Sequence, residues 1–407
     1  VTQISLLIVA RNAAATIARA LSSALAGPAD EIVLVDHGSV DDTADRARAM
    51  APHLRIVRLD GSGTVASARQ VALWTAAGRI GVWLDADDEL LPGRVARVVS
   101  ALEASSADVV ADAAELVTFE GHAEAMPVPP FLWRAPGTAR LFERNYLPAP
   151  GGIAMRIDAL RRLGYDATLH GAEDVDLLLR SIAVGMRLEL LPDVGYRVHA
   201  SPATLSRDLP NQRTMYRRAL GKHRYPDVEA LLHRRGASPR QIAWTLVSLA
   251  AYRGDWPAAT SALGRARALV TDPWEVLEAD GPCTRPEGWR VHFSEGTFAL
   301  LAGRAGDALA ALRIALRFAC TPETWNNLGV ALARQRDSRG ARDAFERALR
   351  QRPGYADAAR NLADRTACAV TTHPLREQRN RDDYPAAGRA PLEVEARPGR
   401  RPAASGA

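Results

Sequence analysis

The sequence predicts a doubly wound, mostly parallel α/β domain followed by an all-α repeat domain. Three observations predict this. Short apolar runs alternate with amphipathic stretches through the first hundred residues. The alternation becomes irregular between about 105 and 200, and beyond about 210 only helical periodicity remains.

Taken in order, ISLLIVA (4–10) reads as a buried strand and AAATIARALSSALA (13–26) as a helix stopped by Gly27 and Pro28. EIVLVD (31–36) is a second strand. SVDDTADRARAMA (39–51) is a helix with Ser39 as N-cap and acids in its first turn. LRIVRLD (54–60), the helix TVASARQVALWTAAG (64–78) and RIGVWLD (79–85) complete the series. In such sheets ligands bind outside the carboxyl ends of the strands, where Asp36, Asp60 and Asp85 stand. PVPPFLWRAPG (127–137) and LPAPGG (147–152) are loops. EDVDLLLRSIAVG (173–185) is a helix ended by Gly185, and RLELLPDVGYRVH (187–199) reads as two short strands around a turn.

In the helical half, Trp325, Leu328, Gly329, Ala341, Phe345, Ala348 and Pro353 fall at the marker spacing of a tetratricopeptide repeat. Gly296, Ala308, Leu312 and Ala315 repeat it more weakly, and Ala259, Leu263 and Ala266 mark a third, degenerate copy. Stacked repeats leave a groove, so a protein partner is expected there. The predicted bounds are 1–208 for the α/β domain, 209–239 for a helical linker and 240–369 for the repeats. Residues 370–407, rich in Pro, Arg and Ala, form a tail expected to be disordered.

Composition narrows the function classes. The chain is 47% hydrophobic and 24% charged, as in ordinary globular proteins. No apolar run approaches the about 20 residues of a membrane span, and the first ten residues lack the basic segment of a signal peptide. Three cysteines without a C-x-x-C pair suit a reducing compartment, so a cytoplasmic location is expected. The net charge of +5 is nearly all arginine, Lys222 being the only lysine. The basic residues are spread along the chain without aromatic interleaving, so nucleic acid is not an expected partner.

The stretch GVWLDADDEL (81–90) runs an apolar strand straight into Asp85, Asp87 and Asp88. Carboxylates packed this closely repel; a helix N-terminal cluster is one explanation, a hard divalent cation another. The order ISLLIVARN, EIVLVDHGSVDDT, ASARQVALWTAAGRIGVWLDADDELLP, GGIAMRIDAL and GAEDVDLLLR resembles the family 2 glycosyltransferases over roughly residues 3 to 206. That resemblance implies a GT-A fold and inverting transfer of a sugar from a nucleotide diphosphate donor, commonly a UDP-sugar, with manganese or magnesium. It implies nucleotide-sugar binding by Ala10, Arg11, Asp36, Arg69, Asp85 and Asp87, with Asp36 on the base and Asp85 on the ribose. Asp87 would hold the metal, and His199, in the segment YRVHASPATLS, would be a second candidate ligand. Asp174 would be the catalytic base, with Glu173 beside it touching the acceptor and Gly152 on the acceptor side. Asp174 opens a helix, whose dipole would tend to keep its pKa low, so position rather than basicity is expected to give its leverage.

The resemblance leaves the acceptor open among glycan, lipid-linked and peptide hydroxyls, and it is compatible with peripheral association at the inner face of the membrane. His37 and Gln70 depart from the residues common in the family at positions beside the donor. The Q-x-x-R-W of processive synthases is absent, Met215 standing at its arginine position. A silent scaffold that only binds a nucleotide sugar is the rival reading. A dehydrogenase lacks its G-x-G-x-x-G after the first strand.

Overall fold

In the computed structural model, which describes residues 3–200, 209–276, 285–363 and 369–371, the four N-terminal apolar runs pair as parallel strands. They are β1 (Ile4–Ala10), β2 (Glu31–His37), β3 (Arg55–Leu59) and β4 (Ile80–Asp85), in the order β3-β2-β1-β4. Helices α1 (Ile17–Leu25), α2 (Thr43–Met50) and α3 (Val65–Thr75) make the crossovers. Leu6, Ile8, Leu34, Val82 and Leu84 are fully buried beneath them, as continuous apolar strands require. The order reverses between β2-β1 and β1-β4, the switch point where a doubly wound sheet opens its crevice. Register aligns Ala10 with Asp36, Val9 with Asp85 and Asp36 with Arg58, so the polar strand ends stand side by side.

Beyond β4 the sheet becomes mixed and reaches nine strands. A short β5 (Glu89–Leu90) precedes α4 (Arg94–Ala104), β6 (Val109–Val117) and β7 (Ala123–Met126). Next come β8 (Ala154–Arg156), α5 (Ile157–Leu163), α6 (Glu173–Ala183) and β9 (Leu188–His199). β8 lies antiparallel between β4 and β6, and β9 runs parallel to β6 and antiparallel to β5.

Several local expectations change. Residues 187–199 form one strand, not two around a turn; the pairing with β6 skips Pro192 and Asp193 in a bulge, which accommodates a residue without an N–H. Ser39 does not cap α2: its N–H donates to Asp36 Oδ1 at 2.9 Å and its hydroxyl accepts the Asn12 N–H at 2.9 Å, so the helix begins four residues later. The acids at 85–88 do not start a helix either. Glu89 and Leu90 pair with β9, and α4 starts only at Arg94 after a left-handed Gly93.

The stretch 209–239, read as a linker, holds α7 (Leu209–Gly221) and α8 (Tyr225–Arg234), both within the first unit, which ends at Gly236. Asn211 donates to the His170 carbonyl, Arg218 to the Thr168 hydroxyl, and Lys222 bridges Asp166 and Asp176 at 2.7 and 2.5 Å. The only lysine of the chain thus fastens the loop that leads into α6. Its two carboxylate partners, one fully buried, are what draw this helix onto the unit.

The second unit begins at Ala237 and is helical: α9 (Pro239–Arg253), α10 (Trp256–Ala268), α11 (Glu287–Leu301), α12 (Ala305–Phe318), α13 (Pro322–Arg334), α14 (Ser338–Gln351) and α15 (Ala356–Ala363). The repeat markers have a packing reason. A β-carbon on Gly329 would stand 2.5 Å from the Phe345 ring, and one on Gly296 would stand 2.5 Å from Leu312. Glycine on one helix receives the large side chain of the next, with Leu312 taking the phenylalanine position in the weaker copy. Part of the tail and the segment 201–208 lie outside the described residues.

Candidate active site

At the crevice Arg69 is the organising cation. It sits on α3, 4% exposed, with Nη2 donating to Asp85 Oδ1 at 2.7 Å and Nη1 to the Gly151 carbonyl at 3.2 Å. Its Nε lies 3.3 Å from Glu173 Oε1 and its guanidinium 4.7 Å from the centre of the Trp83 ring. A buried charge persists only when it is paired. Burial opposes its charge, but Asp85 first, then Tyr165, Glu173 and Asp174, hold its pKa above the ordinary value.

Those contacts gather residues that are distant in sequence. A β-carbon placed on Gly151 would stand 3.0 Å from Asp85 Oδ2, 3.1 Å from Arg69 Nη2 and 3.8 Å from Asp174 Oδ2. The ribose candidate Asp85 and the catalytic-base candidate Asp174 therefore come together around Gly151, where a side chain would crowd Asp85 and Arg69. Asp85 remains about a third exposed, its side chain at 38%.

Asp174 is half-buried in the first turn of α6, its Oδ1 accepting the Val175 N–H at 2.7 Å. Burial first, and then the charge of Glu173, push its carboxyl up to about 7; Arg69 and the Val175 N–H oppose this, and Asp85 adds to it. The helix N-terminus does not keep this pKa low, contrary to expectation, because desolvation and a neighbouring carboxylate outweigh a terminal partial charge. Entry into the helix is itself strained: Ala172 takes φ +56 and Gly171 φ +114. A left-handed alanine is uncommon and persists where the surroundings over-determine it.

The D-A-D-D turn separates into different duties. Asp88 is 6% exposed, its N–H donates to the Asp85 carbonyl, and its carboxylate accepts the His199 N–H at 2.9 Å. Burial, then the charges of Asp85 and Asp87, push its carboxyl well above the usual range. It ties the turn to β9. The carboxylate oxygens of this turn are hard donors of the kind magnesium or manganese takes. Among the described residues no group of three or more His, Cys, Asp or Glu side chains is arranged to hold a metal. Magnesium is commonly held by one or two carboxylates with the rest of its ligands supplied by water or substrate, so a single carboxylate here would be enough.

His199 is otherwise engaged. Its Nε2 lies 2.5 Å from Glu89 Oε1, and burial lowers its pKa despite that bond. A neutral imidazole facing a carboxylate must donate, so Nε2 carries the proton and the lone pair stands on Nδ1.

The other expected donor residues are spread around the crevice. Ala10 is buried at the end of β1, and Arg11 is exposed. Asp36 is fully buried, with Arg58 Nε 3.1 Å from its Oδ2. Gly152, expected on the acceptor side, is buried with its Cα against Tyr196: an added β-carbon would meet that ring at 2.5 Å. Its carbonyl is taken by Arg94, which pairs with Asp112 through 2.8 and 2.9 Å hydrogen bonds and lies 5.0 Å from the centre of the Tyr196 ring. The Asp85 N–H donates to the Tyr196 hydroxyl at 3.0 Å. Sequence reasoning missed this support beneath the site. Tyr196 was visible in YRVH, but Arg94 and Asp112 carry no motif. Trp83 Nε1 and His37 Nε2 are buried without a hydrogen-bond partner among the described residues.

Residues 5–164 match the family model described as glycosyl transferase family 2, and residues 322–355 match tetratricopeptide repeat. The chain is 34% identical over 212 residues to the succinoglycan biosynthesis protein ExoU of Rhizobium meliloti, a match covering 48% of this chain and 61% of that protein. It is 31% identical over 222 residues to ExoO of the same organism, covering 51% and 64%. The chain thus spans less than two thirds of the length of either relative. Against the crystal structure of S. aureus TarS 1–349 in complex with UDP-GlcNAc, the identity is 16% and the TM-score 0.49, over 76% of this chain and 89% of that one.

Proposed function

We propose that this chain, whose residues 5–164 belong to glycosyl transferase family 2, moves a sugar from a nucleotide diphosphate donor to an acceptor hydroxyl with inversion. The observation that carries this reading is the meeting of Asp85, Arg69 and Asp174 around Gly151, where burial and the charge of Glu173 push the Asp174 carboxyl up to about 7. A carboxylate with that pKa is partly ionised at neutral pH and basic enough to take a proton from an attacking hydroxyl. Single in-line displacement needs such a base on the acceptor side and charge stabilisation on the leaving side.

Asp174 accepts the acceptor proton at its carboxylate oxygen. Glu173, paired with Arg69, keeps Asp174 from losing its own proton too readily and borders the acceptor. Arg69 fixes Asp85, which receives the ribose, and Asp36 at the end of β2 meets the base, with Ala10 and Arg11 lining the pocket. Asp87 would hold manganese or magnesium, which would supply positive charge to the departing diphosphate. His199, held through Glu89 and Asp88, would offer Nδ1 as a second ligand to that ion. A UDP-sugar is the donor the family pattern favours. The two relatives named for succinoglycan biosynthesis favour a polysaccharide or other glycan acceptor. Among the described residues no helix is long and apolar enough to cross a membrane.

Calorimetric titration of a panel of nucleotide diphosphates, with and without manganese, tests the reading on wild type and Asp87→Ala. Manganese-dependent binding of one nucleotide, lost in the variant, is expected. A folded wild-type protein that binds none of them overturns the proposal.

A further inference from the structure

The loop 166–172, between α5 and α6, brings Asp174 to the crevice in a conformation that it does not adopt by preference. Gly171 takes φ +114 and Ala172 φ +56, and Ala172 is the last residue before the helix. The Ala172 carbonyl accepts the Asp176 N–H at 2.9 Å, so this left-handed residue sets the direction in which α6 starts. Its β-carbon disfavours that conformation, which therefore has to be imposed by neighbours.

α7 supplies the neighbours. Asn211 Nδ2 donates to the His170 carbonyl at 2.6 Å, and Met215 Sδ accepts the His170 N–H at 3.4 Å. Arg218 donates to the carbonyl and the hydroxyl of Thr168 at 3.3 and 3.0 Å. Residues 211, 215 and 218 share one face of the helix, and Lys222 continues that face just beyond its end. The Gln212 amide closes over Gly171, where a β-carbon would stand 2.8 Å from its Nε2. With one ammonium, Lys222 joins the start of the loop at Asp166 to Asp176, two residues beyond Asp174. Asp176 is fully buried, and Arg180 Nε holds its other oxygen at 2.8 Å.

We propose, resting on the assignment of Asp174 as the base, that α7 is a clamp holding that base at Gly151, with Lys222 and Asn211 as its positioning residues. Without the clamp Ala172 leaves the left-handed region, and Asp174 moves from its half-buried place into water. The charged and titratable groups around Asp174 are Glu173 beside it, Arg69 on α3, Asp85 on β4 and Tyr165 before the loop. From the α7 side come Lys222 and its partners Asp166 and Asp176, with Arg180 beyond them.

The test needs no substrate. The melting temperature of each protein is compared with that of its Asp174→Asn derivative at pH 8 and at pH 4. At pH 8 the wild type should show a gap of about 2–4 °C, because burial penalises only the ionised carboxylate. In Lys222→Met and in Asn211→Ala the gap should fall to half or less. Ala172→Gly added to either should restore most of it, because glycine enters the left-handed region freely. Lys222→Arg keeps the charge and should keep the gap. Lys222→Met leaves Asp176 its Arg180, so the variant strands no buried charge; should it still fail to fold, Asn211→Ala decides alone. The sign separates the clamp from simple electrostatics, since loss of a nearby cation disfavours the ionised carboxylate and would widen the gap. A gap that is widened or unchanged in the variants, or absent from the wild type, overturns the proposal. Calorimetric titration of UDP with manganese in the same proteins should give affinities within about twofold of wild type, since the clamp acts on the acceptor side. Failure of every folded protein to bind a nucleotide would overturn the transferase assignment, while the melting gap still decides whether α7 holds Asp174.

Discussion

The crevice of the first unit and the groove of the second are both lined with buried polar side chains, and they differ in how those groups are satisfied. In the groove every donor and acceptor of Asn326, Asn327 and Asn361 has a partner, and the hydroxyl of Thr371 is saturated. In the crevice Asp88 and Asp174 are held well above the usual carboxylate range, Ala172 is left-handed, and Trp83 Nε1 lacks a partner among the described residues. Completed networks rigidify, whereas incompletely compensated charge is what a ligand or metal can relieve. In the groove the chain's own residues 369–371 complete the network. The crevice carries the mismatch that catalysis uses.

The largest expected effect breaks the crevice side of this contrast. Asp174→Asn removes the base and leaves the fold, so the transfer rate should fall by about 10²- to 10⁴-fold, with donor binding kept. Steady-state kinetics beside a nucleotide titration separates the two. A variant with near wild-type turnover would assign the proton to another group.

Arg69→Met comes next. It strands Asp85 and Glu173 without their cation, and breaking a buried pair costs about 3–5 kcal/mol, readable as a lowered denaturation midpoint in urea. Little change would mean that solvent already compensates these carboxylates. Gly152→Ala forces a β-carbon into the Tyr196 ring at 2.5 Å and should cost about 1–3 kcal/mol, with loss of activity as the turn bearing Asp85 moves.

The smallest effect tests the frustration directly. The Asp174 carboxyl ordinarily titrates at 3.8 and here near 7, so folding favours its protonated form. That contribution is full below pH 3.8 and is lost as pH rises through about 7. Asp174→Asn is never charged and should melt about 2–4 °C above wild type at pH 8 if the gain is about 1 kcal/mol. The gap should close by about pH 4. For catalysis the sign is opposite: kcat/KM should rise with pH through about 7, because the base must be ionised. An unchanged melting gap from pH 4 to 8 would sever Asp174 from the raised pKa.

Much of this was legible in the sequence. Apolar runs of strand length ending in Asp36 and Asp85 placed carboxylates at the mouth of a parallel sheet, since the period and the strand ends are local properties. Gly329 and Phe345 announced the repeat because a knob and its hole must keep a fixed spacing along two consecutive helices. Asp85, Arg69 and Asp174 were each singled out, but nothing local says they meet at Gly151, 82 residues from Arg69. That meeting depends on where the chain returns to the sheet.

What only the tertiary structure decided is the electrical state and the engagement of each group. Asp174 lost the low pKa its helix position suggested, because burial and Glu173 act through space. His199 turned to Glu89, and Asp88 became a brace to β9. The helical stretch around Lys222 is tied to two carboxylates far upstream, Asp166 and Asp176. Residues 369–371, expected at the seam of repeat and tail, became hydrogen-bond partners of Asn327 and Asn361. Periodicity and spacing determine which face of an element is apolar and which residues reach the strand ends. Charge, desolvation and hydrogen-bond pairing depend on neighbours that only the folded chain assembles.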